Sequence, residues 1–269
     1  MQKSCSTLLH PNLTDMDNGT PIWLDYAKNK IRRRWQKIRL LWGGIYFSLF
    51  TKTYKNSGVV LHIPFQLTDF KFRGRFALDL YEVEEARYLT KYLSPYAKVL
   101  ELGSCLGYVS CIVNNILIHK DQHVALEANP NLIPWIAKNR EANNAHFHLE
   151  NSVVSTEKSN TFYIHKLIVG GSTKRKTPKK MEIEGLTIDA LKTKYNIDFD
   201  TLVMDIEGGE LSLLRDFKEQ IASFKHIFFE IHPFAGILTH EEAQECEDIL
   251  TALGFQQIIK DGHYQMWEK

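Results

Sequence analysis

Four side chains in the second half of this chain have types and spacings that suit shared chemistry. Asp205 and Glu207 stand one residue apart in Val203-Met204-Asp205-Ile206-Glu207-Gly208-Gly209-Glu210, where an apolar strand ends, a glycine pair follows and a helix begins. Side chains alternate along an extended segment, so both acids project to one side. The same rule puts Glu230 and His232 on one face of a later strand, which Pro233 ends. In an open α/β sheet, ligands bind in the crevice outside the carboxyl ends of the strands. Three carboxylates and an imidazole converging there can take a proton from a hydroxyl. His232 is then the general base, its pKa suited to neutral pH, with a neighbouring acid to orient it. The same set can instead hold a divalent cation that acidifies the hydroxyl; the metal-free form is slightly preferred, and no metal ligand is assigned. A helix dipole also favours acids in a first turn. That accounts for Glu210 and part of Glu207, but not for Asp205.

A second constellation binds rather than reacts. Val99-Leu100-Glu101-Leu102-Gly103-Ser104-Cys105-Leu106-Gly107 reads as a strand, a tight glycine turn and a helix start. A dinucleotide fingerprint would be G-x-G-x-x-G. Here the loop is G-x-x-x-G with an acid two residues before it. That acid disfavours a pyrophosphate, and with it a nicotinamide dehydrogenase, and favours a ligand carrying an amino group. Glu127 follows Gly107 by 20 residues, at the end of the next strand. A carboxylate so placed accepts hydrogen bonds from a ribose diol. Loop and acid together predict an adenosine-type cofactor such as S-adenosylmethionine.

The elements that must position these groups alternate in type after residue 75, which predicts a mainly parallel sheet with crossover helices. Strands are expected at 98–102, 123–126, 147–149, 201–204, 226–231, 256–259 and 264–267. Helices are expected at 82–93, 107–118, 132–143, 187–194, 210–220 and 240–253. Thr161–Val169 and Met181–Ile188 read as arms of a hairpin. Its tip is Gly170-Gly171-Ser172, followed by the basic run Lys174 to Lys180. That run is expected to be a mobile solvated loop, with closure over an acidic substrate as the alternative. Residues 1–75 form a basic and aromatic N-terminal segment of unknown role, read as a helical and extended appendage to the S-adenosylmethionine-binding domain expected over 76–269.

In these motifs the chain resembles the FkbM family of class I S-adenosylmethionine-dependent methyltransferases. The matching stretches are Tyr81-Glu82, Glu101 to Tyr108, Glu127-Ala128-Asn129-Pro130, Leu186-Thr187-Ile188-Asp189, Asp205-Ile206-Glu207-Gly208-Gly209-Glu210 and Glu230-Ile231-His232. The Asp-x-Glu-Gly-x-Glu element is the most specific of them. Glu101 stands where the family usually has Asp, and Cys105 where it usually has Asn. The resemblance covers about residues 75 to 260. It implies a Rossmann-like, seven-stranded α/β sheet with helices on both faces, and methyl transfer to oxygen, often on sugars or glycan-linked metabolites. It further implies that Glu101, Gly103, Ser104, Gly107 and Tyr108 surround the methionine end of the cofactor. Glu127 and Ala128 then hold the ribose, Ser152-Val153 lie near the adenine, and Asp205 lies near the sulfonium. An S-adenosylmethionine-binding scaffold without catalysis is the alternative; the retained Asp205, Glu207 and His232 argue against it.

Composition narrows the partners. The 269 residues carry a formal net charge of +1, so no global field selects a polyanion. Asp-Ile-Glu-Gly after the strand, in place of an Asn/Asp-Pro-Pro-aromatic run, disfavours methylation of nucleic-acid amines, and the basic run at 174–180 lacks interleaved aromatics. The expected acceptor is a small molecule or glycan. Four cysteines without metal-ligand spacing, Cys5, Cys105, Cys111 and Cys246, read as reduced thiols of a cytosolic protein. No signal-peptide pattern is seen, and the apolar run Leu40 to Phe50 is too short to span a bilayer. Between residues 28 and 50, Lys28, Lys30, Arg32, Arg33, Arg34, Lys37 and Arg39 accompany an apolar stripe of Ile31, Trp35, Ile38, Trp42 and Ile45. A stripe at this spacing is one face of a helix. Packing on the core domain with a solvated basic face is the preferred reading. The other is contact with the inner face of a membrane or with a phosphate-bearing lipid-linked glycan.

Overall fold

The structure, a computed structural model, describes residues 16–17, 20–165, 168, 171–174, 176–233 and 237–269. Cys5, Gly170 and Arg175 lie outside them. In chain order, the strand pair β1 (Met16–Asp17) and β2 (Thr20–Pro21) precedes the long helix α1 (Ile22–Phe50). The hairpin β3 (Thr53–Asn56) and β4 (Val59–His62) follows, then helices α2 (Phe70–Ala77) and α3 (Val83–Tyr92). Next come β5 (Val99–Leu102), α4 (Tyr108–Ile116), β6 (His123–Leu126), α5 (Ile133–Ala142), β7 (His148–Glu150) and β8 (Val153–Val154). The antiparallel arms β9 (Ser159–Tyr163) and β10 (Lys180–Leu186) lead to α6 (Ile188–Tyr195), β11 (Thr201–Met204), α7 (Glu210–Asp216) and α8 (Lys218–Ala222). The chain closes with β12 (His226–Glu230), α9 (His240–Ala252), β13 (Gln256–Asp261) and β14 (Tyr264–Glu268).

Seven strands form the central sheet in the order β13-β14-β12-β11-β5-β6-β7, and β14 runs antiparallel to both its neighbours. This is the mainly parallel Rossmann-like α/β sheet that the alternating pattern predicts. Every residue of β5, β6 and β11 is buried, as expected for strands covered by helices on both faces. From β5 the chain moves through β6 to β7 on one side; β11 and β12 lie on the other. The β5/β11 boundary is therefore the switch point of the sheet, where a crevice opens at the strand ends.

Gly103 shows how tightly that crevice is built. It has φ +93°, and a Cβ there would lie 1.8 Å from the carbonyl oxygen of Asp205. Only glycine permits both the left-handed backbone and this approach. The helix expected over 210–220 is broken at Phe217, whose φ of −122° and ψ of 33° are not helical. The break turns this buried ring into the wall of the pocket described below.

From Phe47 onward the N-terminal segment shares the core of the rest. Phe47, Tyr54, Val59, Leu61, Phe72 and Phe76 share one core cluster with Leu106, Ile112, Ile136 and Phe147. Two asparagines of the α5 region complete the open edge of β4. Asn139 Oδ1 accepts from the His62 backbone at 2.7 Å, and Asn143 Oδ1 from that of Val60 at 2.8 Å. Helices α1 and α2 cross backbone to backbone. A Cβ on Gly44 would meet the Phe70 carbonyl at 1.6 Å, and one on Gly74 that of Leu40 at 1.9 Å. This contact buries the glycine face of α1, not the stripe. Ile31, Trp35, Ile38 and Trp42 are 37–65% exposed, so the expectation that the stripe packs on the core is corrected. Among the described residues, no helix is long and apolar enough to cross a membrane.

Candidate active site

A cavity of about 290 Å³ opens at the switch point, near the lower end of the size range of small-molecule sites. Gly103 and Cys105 form one wall, Glu127 and Ala128 the next, and Ser152 and Val153 the far end. Asp205 and Glu207 face them. Glu127 is fixed by its own loop and by the glycine turn. Its Oε2 accepts from the Cys105 backbone N–H at 2.8 Å and its Oε1 from that of Asn129 at 2.7 Å. Burial raises the Glu127 carboxyl to about 7, against the pull of those two N–H groups. Ser152 Oγ is buried with no hydrogen-bond partner inside the protein, a polar group that a ligand can satisfy.

Several expected contacts lie elsewhere. Glu101 is turned inward: its Oε1 accepts from Ser110 Oγ at 2.7 Å and its Oε2 pairs with His123 Nε2 at 2.8 Å. Both oxygens are engaged within the core, and Glu101 does not line the cavity. Ser104 Oγ donates to the Leu126 carbonyl. Tyr108 packs against the rings of Tyr54 and Tyr81. Gly107 faces Ile136. These three shape the loop from behind and do not line the cavity.

At the reacting end, two of the predicted acids, Asp205 and Glu230 but not Glu207, flank His232. Its Nδ1 lies 3.7 Å from Asp205 Oδ1 and 3.9 Å from Glu210 Oε1, and its Nε2 lies 3.4 Å from Glu230 Oε1. Burial works to deprotonate the imidazole, but Glu210, Glu230 and Asp205 outweigh it and hold His232 at about 11. The flanking acids thus favour the imidazolium form of His232, against the role of a neutral-pH base. Glu230 is its counter-charge. Burial opposes ionisation of Glu230, yet His232 and then Glu85 bring it down to about 2. Asp205 is raised, by burial first and the Glu230 charge second, and its Oδ1 has no hydrogen-bond partner. Glu210, read as a helix-start residue, is fully buried behind His232 and belongs to the cluster.

Two further acids went unassigned in the sequence. Glu82 and Glu85 line a small recess with Asp205, Gly103 and Glu230. Burial raises Glu82 to about 8; burial and its hydrogen bond to Glu230 raise Glu85 to about 10. Glu82 lay within a family-like stretch; Glu85 carried no signal beyond its helix. The hairpin was also underestimated. Ser172 is buried, its Oγ donates to the Glu207 carbonyl at 2.7 Å, and Gly171 and Thr173 line the cavity. The start of the basic stretch is thus docked beside the site, and Lys174 Nζ reaches Glu242 at 3.8 Å. Strain gathers here too: Glu82, Cys105 and Glu207 adopt left-handed backbone at φ 47–49°, a cost that concentrates at functional sites.

The methyltransferase FkbM domain model matches residues 103–256, from the glycine turn to the start of β13. The chain belongs to the FkbM methyltransferase family. Its Asp-x-Glu-Gly-x-Glu element, Asp205 to Glu210, lies within the matched residues, and Asp205, Glu207 and Gly209 line the cavity. Among solved structures, the chain is similar to an O-methyltransferase from Bacillus cereus in complex with SAH. The identity is 13%, the match covers 87% of this chain and all of that one (100%), and the TM-score is 0.46. It is also similar to a methyltransferase from Pyrococcus furiosus, at 12% identity over 90% of this chain and 96% of that one, with a TM-score of 0.43. A third is a putative tRNA (m1A22) methyltransferase from Streptococcus pneumoniae in complex with S-adenosyl-L-methionine, at 13% identity over 69% and 72% of the two chains, with a TM-score of 0.41. No curated protein matches the chain.

Proposed function

We propose that this FkbM-family chain is an S-adenosylmethionine-dependent O-methyltransferase whose acceptor is a hydroxyl on a sugar, glycan or related metabolite. The cavity suits the cofactor on its own terms. Glu127 is held to accept from a ribose diol, Ser152 Oγ offers an unused donor at the far end, and Gly103 leaves the wall open beside Asp205. Two carboxyl groups at the reacting end, Asp205 and Glu82 beside it, can ionise against a sulfonium and an ammonium, although burial holds them protonated in their absence. When bound, S-adenosylmethionine supplies an electrophilic methyl group.

The observation that carries oxygen as the acceptor is the Asp205–His232–Glu230 cluster. An alcohol must lose its proton during transfer, and a positioned base speeds that loss. Asp205 is the proton acceptor: burial raises its affinity for a proton, while the neighbouring His232 cation works the other way and favours the ionised form that can accept one. Glu230 and Glu210 hold His232 in place and charged. Glu207 shapes the wall through its backbone contact with Ser172. The test is S-adenosylhomocysteine formation across acceptor pools of sugars, glycans and small alcohols, with the methylated atom located by mass spectrometry and NMR. Turnover of a hydroxyl acceptor is expected. Cofactor binding without turnover of any pool would favour the non-catalytic scaffold.

A second reading has its own observation. One ligand atom each from Asp205, Glu230 and His232 lie within 4.8 Å of one another. A cation about 2.1 Å from each ligand needs them within about 4.2 Å, so a small contraction would complete a site. Loss of turnover on chelation, restored by magnesium, would select this reading.

A further inference from the structure

Helix α1 carries a surface none of whose residues line the cavity. Every residue from Lys30 to Arg39 is exposed, so these turns pack on nothing described. At 3.6 residues per turn, Ile31, Trp35, Ile38, Trp42 and Leu49 fall in one row, and their exposure runs from 37% to 72%. Gly44 and Phe47, which pack toward α2 and the core, fall on the opposite side of the helix. Lys30, Arg34 and Lys37 border the row on one flank, and Arg32 and Arg39 border it on the other. No acid occurs from Lys30 to Phe50.

Only some surfaces complement such a helix. A second copy seated on the row across a two-fold axis would bring arginine borders together. A nucleic acid would engage the cations and leave Ile31, Ile38 and Leu49 facing water. The helix does not qualify to cross a bilayer. An apolar row with cationic borders suits a helix lying in the plane of a membrane interface. Tryptophan rings sit at headgroup level there, and long basic side chains reach back to the anionic headgroups. We propose that residues 30–50 form a docking surface for an anionic lipid bilayer.

Flotation of the full chain with phosphatidylcholine vesicles, with and without phosphatidylserine, tests this. Binding is expected only to the anionic vesicles, with loss at high salt. The triple variant Arg32→Gln, Arg34→Gln, Lys37→Gln should bind roughly a hundredfold more weakly, from about 1 kcal/mol per cation near a charged surface. The double variant Trp35→Ser, Trp42→Ser should not bind. Both should melt like the parent, because the altered side chains are exposed. Absence of flotation, or undiminished flotation of both variants, overturns the proposal. So does a dimer in solution that the tryptophan variant dissolves, which assigns the face to a second copy. Binding to single-stranded RNA but not to vesicles assigns it to a polyanion and overturns it equally. These readouts are binding alone, so they stand apart from the outcome of any methyl-transfer assay.

Discussion

Asp205 and His232 behave as one unit, because a carboxylate 3.7 Å from an imidazole in a buried pocket cannot titrate independently of it. Asp205→Asn keeps the shape and removes the proton acceptor, so turnover should fall by about 10²–10⁴-fold while S-adenosylmethionine binding, measured by calorimetry, changes little. His232 gives a stability signature instead. Its folded pKa, about 11, lies above the ordinary value of 6.5. The stabilisation it brings is therefore full below about pH 6.5 and is lost as pH rises toward 11. The melting temperature of the protein should decline across that window, and the decline should be shallower in His232→Gln. That variant should also be less stable at neutral pH, since it leaves Glu210 and Glu230 without their cation. Glu127 supplies the third test. Its carboxyl, raised to about 7, must ionise to accept fully from a ribose. Cofactor affinity should strengthen as pH rises through 7, and Glu127→Gln should both weaken binding and flatten that dependence. A pH-independent affinity in the parent would remove Glu127 from the ribose contact.

At the scale of elements, the glycine turn and the end of β11 were built to touch, and a single methyl group should separate them. Gly103→Ala places a Cβ 1.8 Å from the Asp205 carbonyl at a φ of +93°. It should cost about 2 kcal/mol or more and abolish cofactor binding, read by denaturant melts and calorimetry. This junction was legible in the sequence because its parts are local: an apolar run, a glycine, an acid at a strand end. The inward turn of Glu101 was not, because its partners Ser110 and His123 come from α4 and β6. Nor was the break at Phe217, where a residue at helical spacing leaves the helix to wall the pocket. The docking of Ser172 onto Glu207 joins residues 35 apart, with nothing periodic to announce it. The stripe of α1 was read correctly as a stripe, yet periodicity says which residues share a face and not what covers it. Gly43-Gly44 held the missing information: the face that packs on α2 is the one without side chains.

For the molecule as a whole, the change of pattern near residue 75 marks a change of composition, not the edge of a folding unit. Phe47, Tyr54, Leu61, Phe72 and Phe76 are each at most 4% exposed and belong to the same cluster as the helices beneath the sheet. Phe72 and Phe76 also pack edge-on and tilted against Tyr81, at 5.8 and 4.7 Å, and the Tyr81 hydroxyl donates to Cys105 Sγ at 3.4 Å. Helix α2 therefore supports the glycine turn through Tyr81. Deleting one buried Leu or Phe costs about 2–5 kcal/mol, and a whole protein is stable by about 5–15 kcal/mol. Removing five such residues together, Phe47, Tyr54, Leu61, Ile63 and Phe72, exceeds that margin. A chain starting at residue 76 should thus fail to give a cooperative melt by circular dichroism and should not bind S-adenosylmethionine, although the family-matched residues 103–256 are intact in it. A smaller lesion separates support from mere bulk. Phe76→Ala, with its ring against Tyr54 and Tyr81, should keep a cooperative melt at lower temperature and weaken cofactor binding through the turn. Unchanged affinity in that variant, measured well below its melting temperature, would mean the segment stabilises the fold without positioning the site.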